Sequence, residues 1–276
     1  MKMRQDDWHR RKRYVETPGG RPIALIDSGG NRPALLMLHG FSDTSRSFAT
    51  LEPFLSRFRL ILPDLPGHGA SVLDEGMRVD DFATSIDRLV ECLGLEDIAL
   101  VGHSMGAMTS IELAARRRHD VSALILLSAS LRPEFDAESP ISRDIRALGD
   151  PIDPSGRFLR DWYACSRPVD LDFLSKMMLD AAAMPAATWQ GILDGFNETD
   201  LRHSASCVTA PVLCIAGSAD PLFGDPHRQA LSSAFQSVRS ITLEGYGHNP
   251  HWEDPEKVSA LILSFLSEVG RSEPSR

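Results

Sequence analysis

Short apolar runs alternate with helix-like stretches along most of this chain. Most of the apolar runs are continuous, and they lie at residues 34–38, 60–62, 98–101, 123–127, 212–216 and 238–243. Continuous runs of this length are typical of strands buried on both faces of a parallel sheet. Apolar residues recur at helical spacing in the stretches 79–93, 105–117, 226–235 and 255–269. Strands and helices in alternation predict an α/β fold with a mostly parallel, doubly wound sheet.

The front of the chain predicts an antiparallel edge. Residues 13–17 and 22–27 flank the turn sequence Pro18-Gly19-Gly20. Proline and glycine between two short extended segments are typical of a hairpin. We therefore expect two antiparallel strands along one side of the sheet.

The alternation breaks between residues 132 and 206, where prolines punctuate helix-like segments and no strand-like run occurs. A structureless loop of this length is improbable inside a compact domain. The aromatic residues of the segment, among them Phe158, Trp162, Trp189 and Phe196, give it an apolar face to bury. We predict a core domain formed by residues 1–131 and 207–276, with a helical cap inserted at residues 132–206.

Composition and charge narrow the class of protein. Of the 276 residues, 42% are hydrophobic and 24% are charged, which is ordinary for a globular fold and excludes a disordered, collagen-like or coiled-coil chain. The formal net charge of −9 makes nucleic acid and anionic membranes poor partners, because both repel an acidic chain. The basic cluster Arg10-Arg11-Lys12-Arg13 is predicted to be a solvated N-terminal arm.

Cysteine spacing and the length of the apolar runs bear on the compartment. The four cysteines are widely spaced without a C-x-x-C pair, so reduced thiols are expected rather than a zinc site or a disulfide framework. The first residues are polar and charged, and no apolar run approaches the roughly 18 residues of a membrane span. We predict a cytoplasmic protein without membrane contact, and the pattern carries no signal for an oligomeric state.

One serine stands in a sequence context that nucleophilic serines need. Residues 102–106 are Gly-His-Ser-Met-Gly, between the apolar run 98–101 and a helical stretch. This is G-x-S-x-G in a strand-turn-helix setting. The strained turn pushes the hydroxyl of Ser104 outward, and the small residues Gly102 and Gly106 let the strand and the helix pack closely. Ser104 is therefore the candidate nucleophile.

A serine hydroxyl needs a base, and the base needs a carboxylate that orients it. Asp220 follows the apolar run 212–216, and His248 follows the run 238–243. Because the carboxyl ends of parallel strands meet at one edge of a sheet, Ser104, Asp220 and His248 are expected to converge there. We predict that Asp220 is the acid and His248 the base.

Other carboxylates and imidazoles compete for these roles. Asp225 lies next to Pro226 at the expected start of a helix, where a carboxylate serves as an N-cap. His251 follows His248 closely, but Pro250 between them makes a shared metal face improbable, and no other metal-ligand spacing occurs. Three histidines in turn regions are expected to make structural hydrogen bonds, namely His39, His68 and His103.

Acyl transfer also requires donors for the oxyanion. The apolar run 34–38 ends in His39-Gly40-Phe41, and a strand followed by His-Gly is where a first donor is expected, here the amide of Phe41. The amide of Met105, the residue after the nucleophile, is the expected second donor.

With these pieces in order, the chain resembles the α/β-hydrolase fold superfamily over essentially its whole length. The matching pieces are His-Gly-Phe at 39–41, Asp-Leu-Pro-Gly-His-Gly at 64–69, the Ser104 turn, Asp220 in Gly-x-x-Asp-Pro and His248 in Gly-His-x-Pro. The resemblance implies the α/β-hydrolase fold. It also implies structural roles for Asp64 and His68, in a loop that packs behind the oxyanion turn.

Within that superfamily, the haloalkane dehalogenases and epoxide hydrolases use Asp as the nucleophile. The serine at position 104 therefore disfavours those two activities. The remaining resemblance is to carboxylesterases, lactonases such as enol-lactonases, cofactor-free perhydrolases and carbon-carbon bond hydrolases. Trp252, four residues after His248, is similar to some carbon-carbon hydrolases, whereas His103 is more typical of the esterase branch. The expected activity is hydrolysis of a small or medium carboxylic ester or lactone, with no cofactor and no metal. Cleavage of a vinylogous diketone, perhydrolysis and a non-hydrolytic ligand receptor are the alternatives.

The predicted cap bears on substrate choice. It leaves the sheet after the run 123–127 and so emerges at the edge that presents Ser104 and His248. We expect it to close over the site and to set substrate size, with Trp162, Trp189 and Trp252 as candidate substrate-binding residues. The alternative for Trp162 and Trp189 is that they pack only the small core of the cap.

Overall fold

The computed structural model describes residues 6–74 and 76–272, so the first five residues of the predicted N-terminal segment lie outside it. Within these ranges the strands are β1 (Arg13–Val15), β2 (Ile23–Asp27), β3 (Ala34–Leu38), β4 (Arg59–Pro63), β5 (Ile98–His103), β6 (Val121–Leu127), β7 (Val212–Gly217) and β8 (Val238–Leu243). The helices are α1 (Asp7–Arg10), α2 (Val79–Cys92), α3 (Met105–Arg116), α4 (Pro140–Arg146), α5 (Arg157–Trp162), α6 (Leu171–Ala182), α7 (Ala186–Asn197), α8 (Arg202–Cys207), α9 (Asp225–Ala234), α10 (Pro250–Glu253) and α11 (Pro255–Ser272). A 3₁₀ turn covers Ser45–Phe48.

The strands form one eight-stranded sheet in the order β1-β2-β4-β3-β5-β6-β7-β8. β1 and β2 pair antiparallel, as do β2 and β4, and the remaining pairs are parallel. The predicted hairpin at one edge and the mostly parallel α/β sheet are confirmed. Because β3 and β5 to β8 run in the same direction, the loops after them open at one edge of the sheet.

Apolar side chains cover the inner strands of the sheet on both faces, which explains why those strands are nearly continuous apolar runs. Along β3, Leu36 and Leu38 belong to one buried cluster, whereas Leu35 and Met37 belong to the other. Successive residues of a strand point to opposite faces, so a strand with helices on both sides is apolar at every position. α2, α3 and α9 contribute to the first cluster and α11 to the second.

The segment between β6 and β7 is helical in the structure, as its pattern predicts. Trp189 and Phe196 of α7 belong to the same buried cluster as Phe41 of the main body. The last helix, α8, lies against α3, where the Ser204 hydroxyl donates to the Glu112 carboxylate at 2.5 Å. The helices between β6 and α8 therefore share their core with the sheet rather than enclosing one of their own.

The N-terminal arm corrects one expectation. Arg10, Arg11 and Arg13 are partly solvated, but the Lys12 side chain is only 2% exposed, and its Nζ lies 2.7 Å from Oδ2 of the buried Asp64. The prediction of a solvated arm is therefore wrong for Lys12, because a buried carboxylate requires a nearby cation. Trp8 is buried as well and donates to the Ser45 hydroxyl at 3.1 Å.

Two further observations concern the cysteines and the apolar character of the helices. All four cysteines lie within the described ranges, and each is a free thiol. Across residues 6–74 and 76–272, no helix combines the length and the apolar character needed to cross a bilayer.

Candidate active site

Ser104 lies at a strained turn between β5 and α3. Its backbone has φ 49° and ψ −117°, a conformation that a residue with a side chain rarely adopts. A Cβ at Gly102 would come within 2.4 Å of the Ala107 Cα, and one at Gly106 within 2.0 Å of the Leu38 carbonyl oxygen. α3 thus approaches β5 at Gly102 and β3 at Gly106 too closely for any larger residue at either position.

Asp220 and His248 lie on the loops that follow β7 and β8, and they form a hydrogen-bonded pair. The distance from His248 Nδ1 to Asp220 Oδ2 is 2.8 Å. The other carboxylate oxygen accepts hydrogen bonds from the amides of Leu222 and Phe223 at 2.8 and 3.1 Å. Burial raises the pKa of Asp220, but His248 and the two amides outweigh it, so the pKa lies below its ordinary value. Asp220 is therefore ionised at neutral pH and accepts a hydrogen bond from Nδ1–H of His248.

Ser104 and His248 line one cavity of about 430 Å³ at the carboxyl edge of the sheet. This volume is within the range of small-molecule sites. No hydrogen bond joins the Ser104 hydroxyl to His248 in the part of the chain that the structure describes. The sheet thus brings the three sequence-predicted residues to one edge, with Asp220 and His248 already joined by a hydrogen bond.

The competing residues lie elsewhere. Asp225 is the first residue of α9 rather than its N-cap, which is Gly224, and its 78% exposed side chain pairs with Arg228. His251 is fully buried, outside the cavity wall formed by the described residues, with its Nε2 3.1 Å from the Ser47 hydroxyl. Burial holds the pKa of His251 well below its usual value, so the ring is neutral.

His39 and His68 form the structural contacts expected of them. The amide of Leu65 donates to His39 Nε2 at 2.9 Å, and His68 Nδ1 lies 3.0 Å from the Pro66 carbonyl oxygen. Asp64 accepts hydrogen bonds from the amides of Ser45 and Ala70. These residues tie the loop after β4 to the loop after β3.

The backbone amides of Phe41 and Met105, the two donors that the sequence predicts, have no partner among the described residues. Met105 is the first residue of α3, where an amide has no acceptor within the helix. Phe41 lies on the loop after β3 and lines the cavity. Among residues 6–74 and 76–272, no hydrogen bond uses the amide of either residue, so both donors are available to a bound anion.

Comparison with known proteins identifies the family of this fold. The sequence profile of the family described as the alpha/beta hydrolase fold matches residues 33–255 of the chain. The chain belongs to the α/β-hydrolase fold family. The prediction of an α/β-hydrolase is thereby confirmed.

Relatives of this α/β-hydrolase include enzymes with several activities. It is 28% identical to a pimeloyl-(acyl-carrier protein) methyl ester esterase of a Shewanella species, over 91% of this chain and 97% of the relative. It is also 28% identical to a 2-succinyl-6-hydroxy-2,4-cyclohexadiene-1-carboxylate synthase of Pectobacterium atrosepticum, over 86% and 94% of the two chains. An esterase from Exiguobacterium antarcticum has a similar fold, with a TM-score of 0.81 at 19% identity over 92% and 98% of the two chains.

The three tryptophans of the predicted substrate pocket have different positions in this α/β-hydrolase. Trp162 at the end of α5 and Trp252 on α10 both line the cavity. Trp189 does not reach it, contrary to the prediction, because it is fully buried behind Phe41, Phe158 and Trp162 with ring centroids 5.0 to 5.4 Å away. Trp189 belongs to the core that joins the helical insertion to the sheet.

Two adjacent residues after Phe41 were not singled out by the sequence. The Ser42 hydroxyl accepts a hydrogen bond from Trp162 Nε1 at 2.8 Å, and Asp43 accepts one from the Tyr163 hydroxyl at 3.2 Å. Both contacts fasten the end of α5 to the loop that carries the Phe41 amide. The sequence does place a carboxylate, Asp43, two residues after Phe41. It does not indicate the partners, Trp162 and Tyr163, because they lie about 120 residues away along the chain.

Proposed function

We propose that this protein hydrolyses carboxylic esters or lactones through an acyl-enzyme on Ser104. The Ser104 oxygen attacks the carbonyl carbon while His248 Nε2 takes the hydroxyl proton. The amides of Phe41 and Met105 hold the negative oxygen of the tetrahedral intermediate. His248 then returns the proton to the leaving alcohol, and a water molecule deprotonated by His248 releases the acid.

The observation that carries this proposal is the Asp220–His248 hydrogen bond beside a serine on a strained turn. Since the ionised Asp220 accepts only, the hydrogen of the neutral imidazole is on Nδ1, and the lone pair of Nε2 is free to act as a base. That is the tautomer that a general base for Ser104 requires. In many enzymes the hydrogen bond between the nucleophile and its base shortens only when substrate binds. We expect the same of the Ser104 hydroxyl and His248 Nε2.

The cavity wall favours an uncharged, apolar group beside the scissile bond. Its described side chains are mostly apolar or aromatic, and they include Phe135, Phe158, Trp162, Leu222 and Phe223. Arg157 is the only lysine or arginine that the structure places in the wall, and its side chain is 88% exposed and paired with Asp161. A substrate carboxylate would lose its hydration here without gaining a buried cation, which is unfavourable.

The test uses purified protein with p-nitrophenyl acetate, p-nitrophenyl hexanoate, a neutral lactone, a vinylogous diketone and the anionic p-nitrophenyl succinate monoester. We expect turnover of the neutral esters, with kcat/KM for the hexanoate exceeding that of the succinate monoester by about tenfold or more. Ser104→Ala should lower kcat by about 10³ to 10⁶-fold and abolish labelling by a fluorophosphonate. A circular dichroism spectrum and an unfolding curve like those of the wild type control for folding.

Other outcomes separate the alternatives. Faster turnover of the diketone than of any ester would assign carbon-carbon bond cleavage to the same residues. Binding of these compounds without turnover would indicate a ligand receptor. Undiminished labelling or turnover in Ser104→Ala would show that Ser104 is not the nucleophile.

A further inference from the structure

Glu253 is a buried carboxylate that the proposed reaction does not use. It is the last residue of α10, it is 8% exposed, and it is not among the described residues that line the cavity. Among residues 6–74 and 76–272, no lysine, arginine or histidine side chain pairs with it. Burying a carboxylate is costly unless hydrogen bonds satisfy its oxygens, so the partners of Glu253 indicate what it does.

Both oxygens of Glu253 accept hydrogen bonds from main-chain amides. Oε2 accepts from the amide of Gly247 with a nitrogen–oxygen distance of 2.9 Å, and Oε1 accepts from the amide of Ser166 at 2.8 Å. Gly247 directly precedes His248, and Ser166 lies between α5 and α6. The carboxylate therefore joins the helical insertion to the residue before the base.

The peptide unit between Tyr246 and Gly247 is held at both ends. Its N–H donates to Glu253, and its carbonyl oxygen accepts a hydrogen bond from the amide of Ala219 at 2.9 Å. Ala219 directly precedes Asp220. This one peptide unit thus connects the loop of the acid to the loop of the base, and Glu253 fixes the end that leads into the base.

The same contact explains why residue 247 is a glycine. A Cβ at this position would lie 2.8 Å from Glu253 Oε1 and 2.8 Å from Ser166 Oγ. Both atoms end side chains that can rotate, so the fold could accommodate a Cβ by moving the carboxylate. That movement would take the carboxylate away from the amide that donates to it.

The short helix α10 is itself held in place. The indole Nε1 of Trp252 donates to the Ser47 carbonyl oxygen at 2.9 Å. The Thr50 hydroxyl donates to the carbonyl oxygen of His251, also at 2.9 Å. These bonds fasten α10 to the segment that follows β3. A side chain positions another group reliably only when its own backbone is fixed, and that of Glu253 is.

We propose that Glu253 is a positioning residue: its carboxylate fixes the Gly247 amide and so places the His248 imidazole for proton transfer. This inference rests on the proposed function, because placement of the base matters only if His248 moves a proton. Displacing a reacting group by about 1 Å costs on the order of 100-fold in rate. Since Glu253 does not line the cavity, its loss should lower kcat without changing the preference among substrates.

The experiment compares three variants that weaken the contact by different means. Glu253→Leu removes both acceptor oxygens. Glu253→Gln keeps one acceptor oxygen and presents an NH₂ group to the other amide. Gly247→Ala keeps the carboxylate but displaces it. kcat and KM are measured on p-nitrophenyl acetate and p-nitrophenyl hexanoate per active site, with sites counted by fluorophosphonate titration, and thermal unfolding is followed in parallel.

We expect Glu253→Leu to lower kcat about 10- to 100-fold, equally for the two esters, with KM changed less than about threefold. Glu253→Gln and Gly247→Ala should lower kcat less, about three- to tenfold, because each keeps part of the contact. The ratio of kcat/KM between the two esters should stay within about twofold in all three variants.

Asp254→Ala is the matched control on the same segment. The Asp254 carboxylate accepts hydrogen bonds from the Tyr246 hydroxyl at 2.7 Å and from the Lys257 amide, in the first turn of α11, at 3.1 Å. Its removal should lower Tm, because the helix loses the acceptor for that amide. The Gly247 amide keeps its bond to Glu253 in this variant, so kcat per site should stay within about threefold.

Unchanged kcat per site in Glu253→Leu, with only Tm reduced, would overturn the inference, as would an equal loss of kcat in Asp254→Ala. A loss confined to KM or to one ester would also overturn it, because the effect would then lie in the cavity and not at the base. If Glu253→Leu does not fold, wild-type kcat in both Glu253→Gln and Gly247→Ala overturns it. Failure of the proposed function is distinct: the wild-type protein then turns over no ester, and the inference falls with it.

Discussion

The two sides of the cavity are built from different interactions. On the sheet side, a hydrogen bond to Asp220 fixes the His248 ring, and Ser104 lies on a strained backbone turn with φ 49°. On the cap side, formed by the helices α4 to α7, Trp162 and Phe158 stack with ring centroids 5.9 Å apart, and Trp162 meets Phe41 edge to face. The sheet side offers directed polar groups, and the cap side offers an apolar surface.

This difference separates two kinds of effect. Bond-making requires that a few atoms be placed within a fraction of an ångström, so a change on the sheet side should lower kcat for every substrate. An apolar wall contributes binding energy in proportion to the group that fills it, so a change on the cap side should alter the preference among substrates. Three substitutions test this division, from the largest expected effect to the smallest.

Asp220→Asn should give the largest effect. The carboxamide favours the wrong tautomer of His248, so kcat should fall by up to about 10⁴-fold, equally for p-nitrophenyl acetate and p-nitrophenyl hexanoate. Steady-state kinetics on the two esters measures it. Asp225→Asn is the control, because its exposed carboxylate pairs with Arg228 on the protein surface, and its kcat should stay close to that of the wild type. The reverse result would move the acid to Asp225.

Lys12→Met tests the buried ion pair between Lys12 and Asp64. It leaves the buried Asp64 carboxylate without its cation, so we expect a loss of about 3 to 5 kcal/mol in the free energy of unfolding. Burial raises the pKa of Asp64, but Lys12 and the amide of Ala70 outweigh it, so the folded pKa is depressed. A depressed carboxyl pKa stabilises the fold above the unfolded value of about 4, and this contribution is lost as the pH falls through the folded value.

In Lys12→Met the acid-unfolding midpoint should therefore move to higher pH. Urea unfolding at neutral pH and an acid titration measure the two effects. Arg10→Met is the matched control on the same arm, since Arg10 is 63% exposed, and its curves should superimpose on those of the wild type. Equal curves for both variants would mean that the Lys12 to Asp64 contact does not stabilise the fold.

Trp162→Ala should give the smallest but most selective effect. Trp162 lines the cavity, so its truncation should change the ratio of kcat/KM between the hexanoate and the acetate by about tenfold. Trp189→Ala removes a fully buried ring that lies behind Trp162, so it should cost about 3 to 5 kcal/mol in the free energy of unfolding. The ratio of kcat/KM between the two esters should change less than about twofold in this variant. Parallel losses on both esters in Trp162→Ala would show that the cap side does not select substrates.

Much of the fold and of the candidate site was predictable from the sequence. The run at 34–38 coincides with β3, because a strand buried on both faces is apolar at successive positions. The run at 238–243 coincides with β8, an edge strand whose residues are mostly exposed or half-buried. Ser104, Asp220 and His248 were identifiable because each lies on the turn or loop that follows a strand, where the topology of a parallel sheet brings loops together. Gly102 and Gly106 were predictable for the same local reason, since a close strand-helix contact excludes a Cβ.

Tertiary structure alone decided the contacts between segments far apart along the chain. The bond from His103 to the His248 carbonyl spans 145 residues, and the Lys12 to Asp64 pair spans 52. No local pattern shows that Trp162 faces the cavity while Trp189 lies behind it, since both are aromatic residues on helices of one insertion. Burial of a charge and exposure of an aromatic ring to a cavity depend on which surfaces meet after folding, and periodicity along one segment carries no information about its partner.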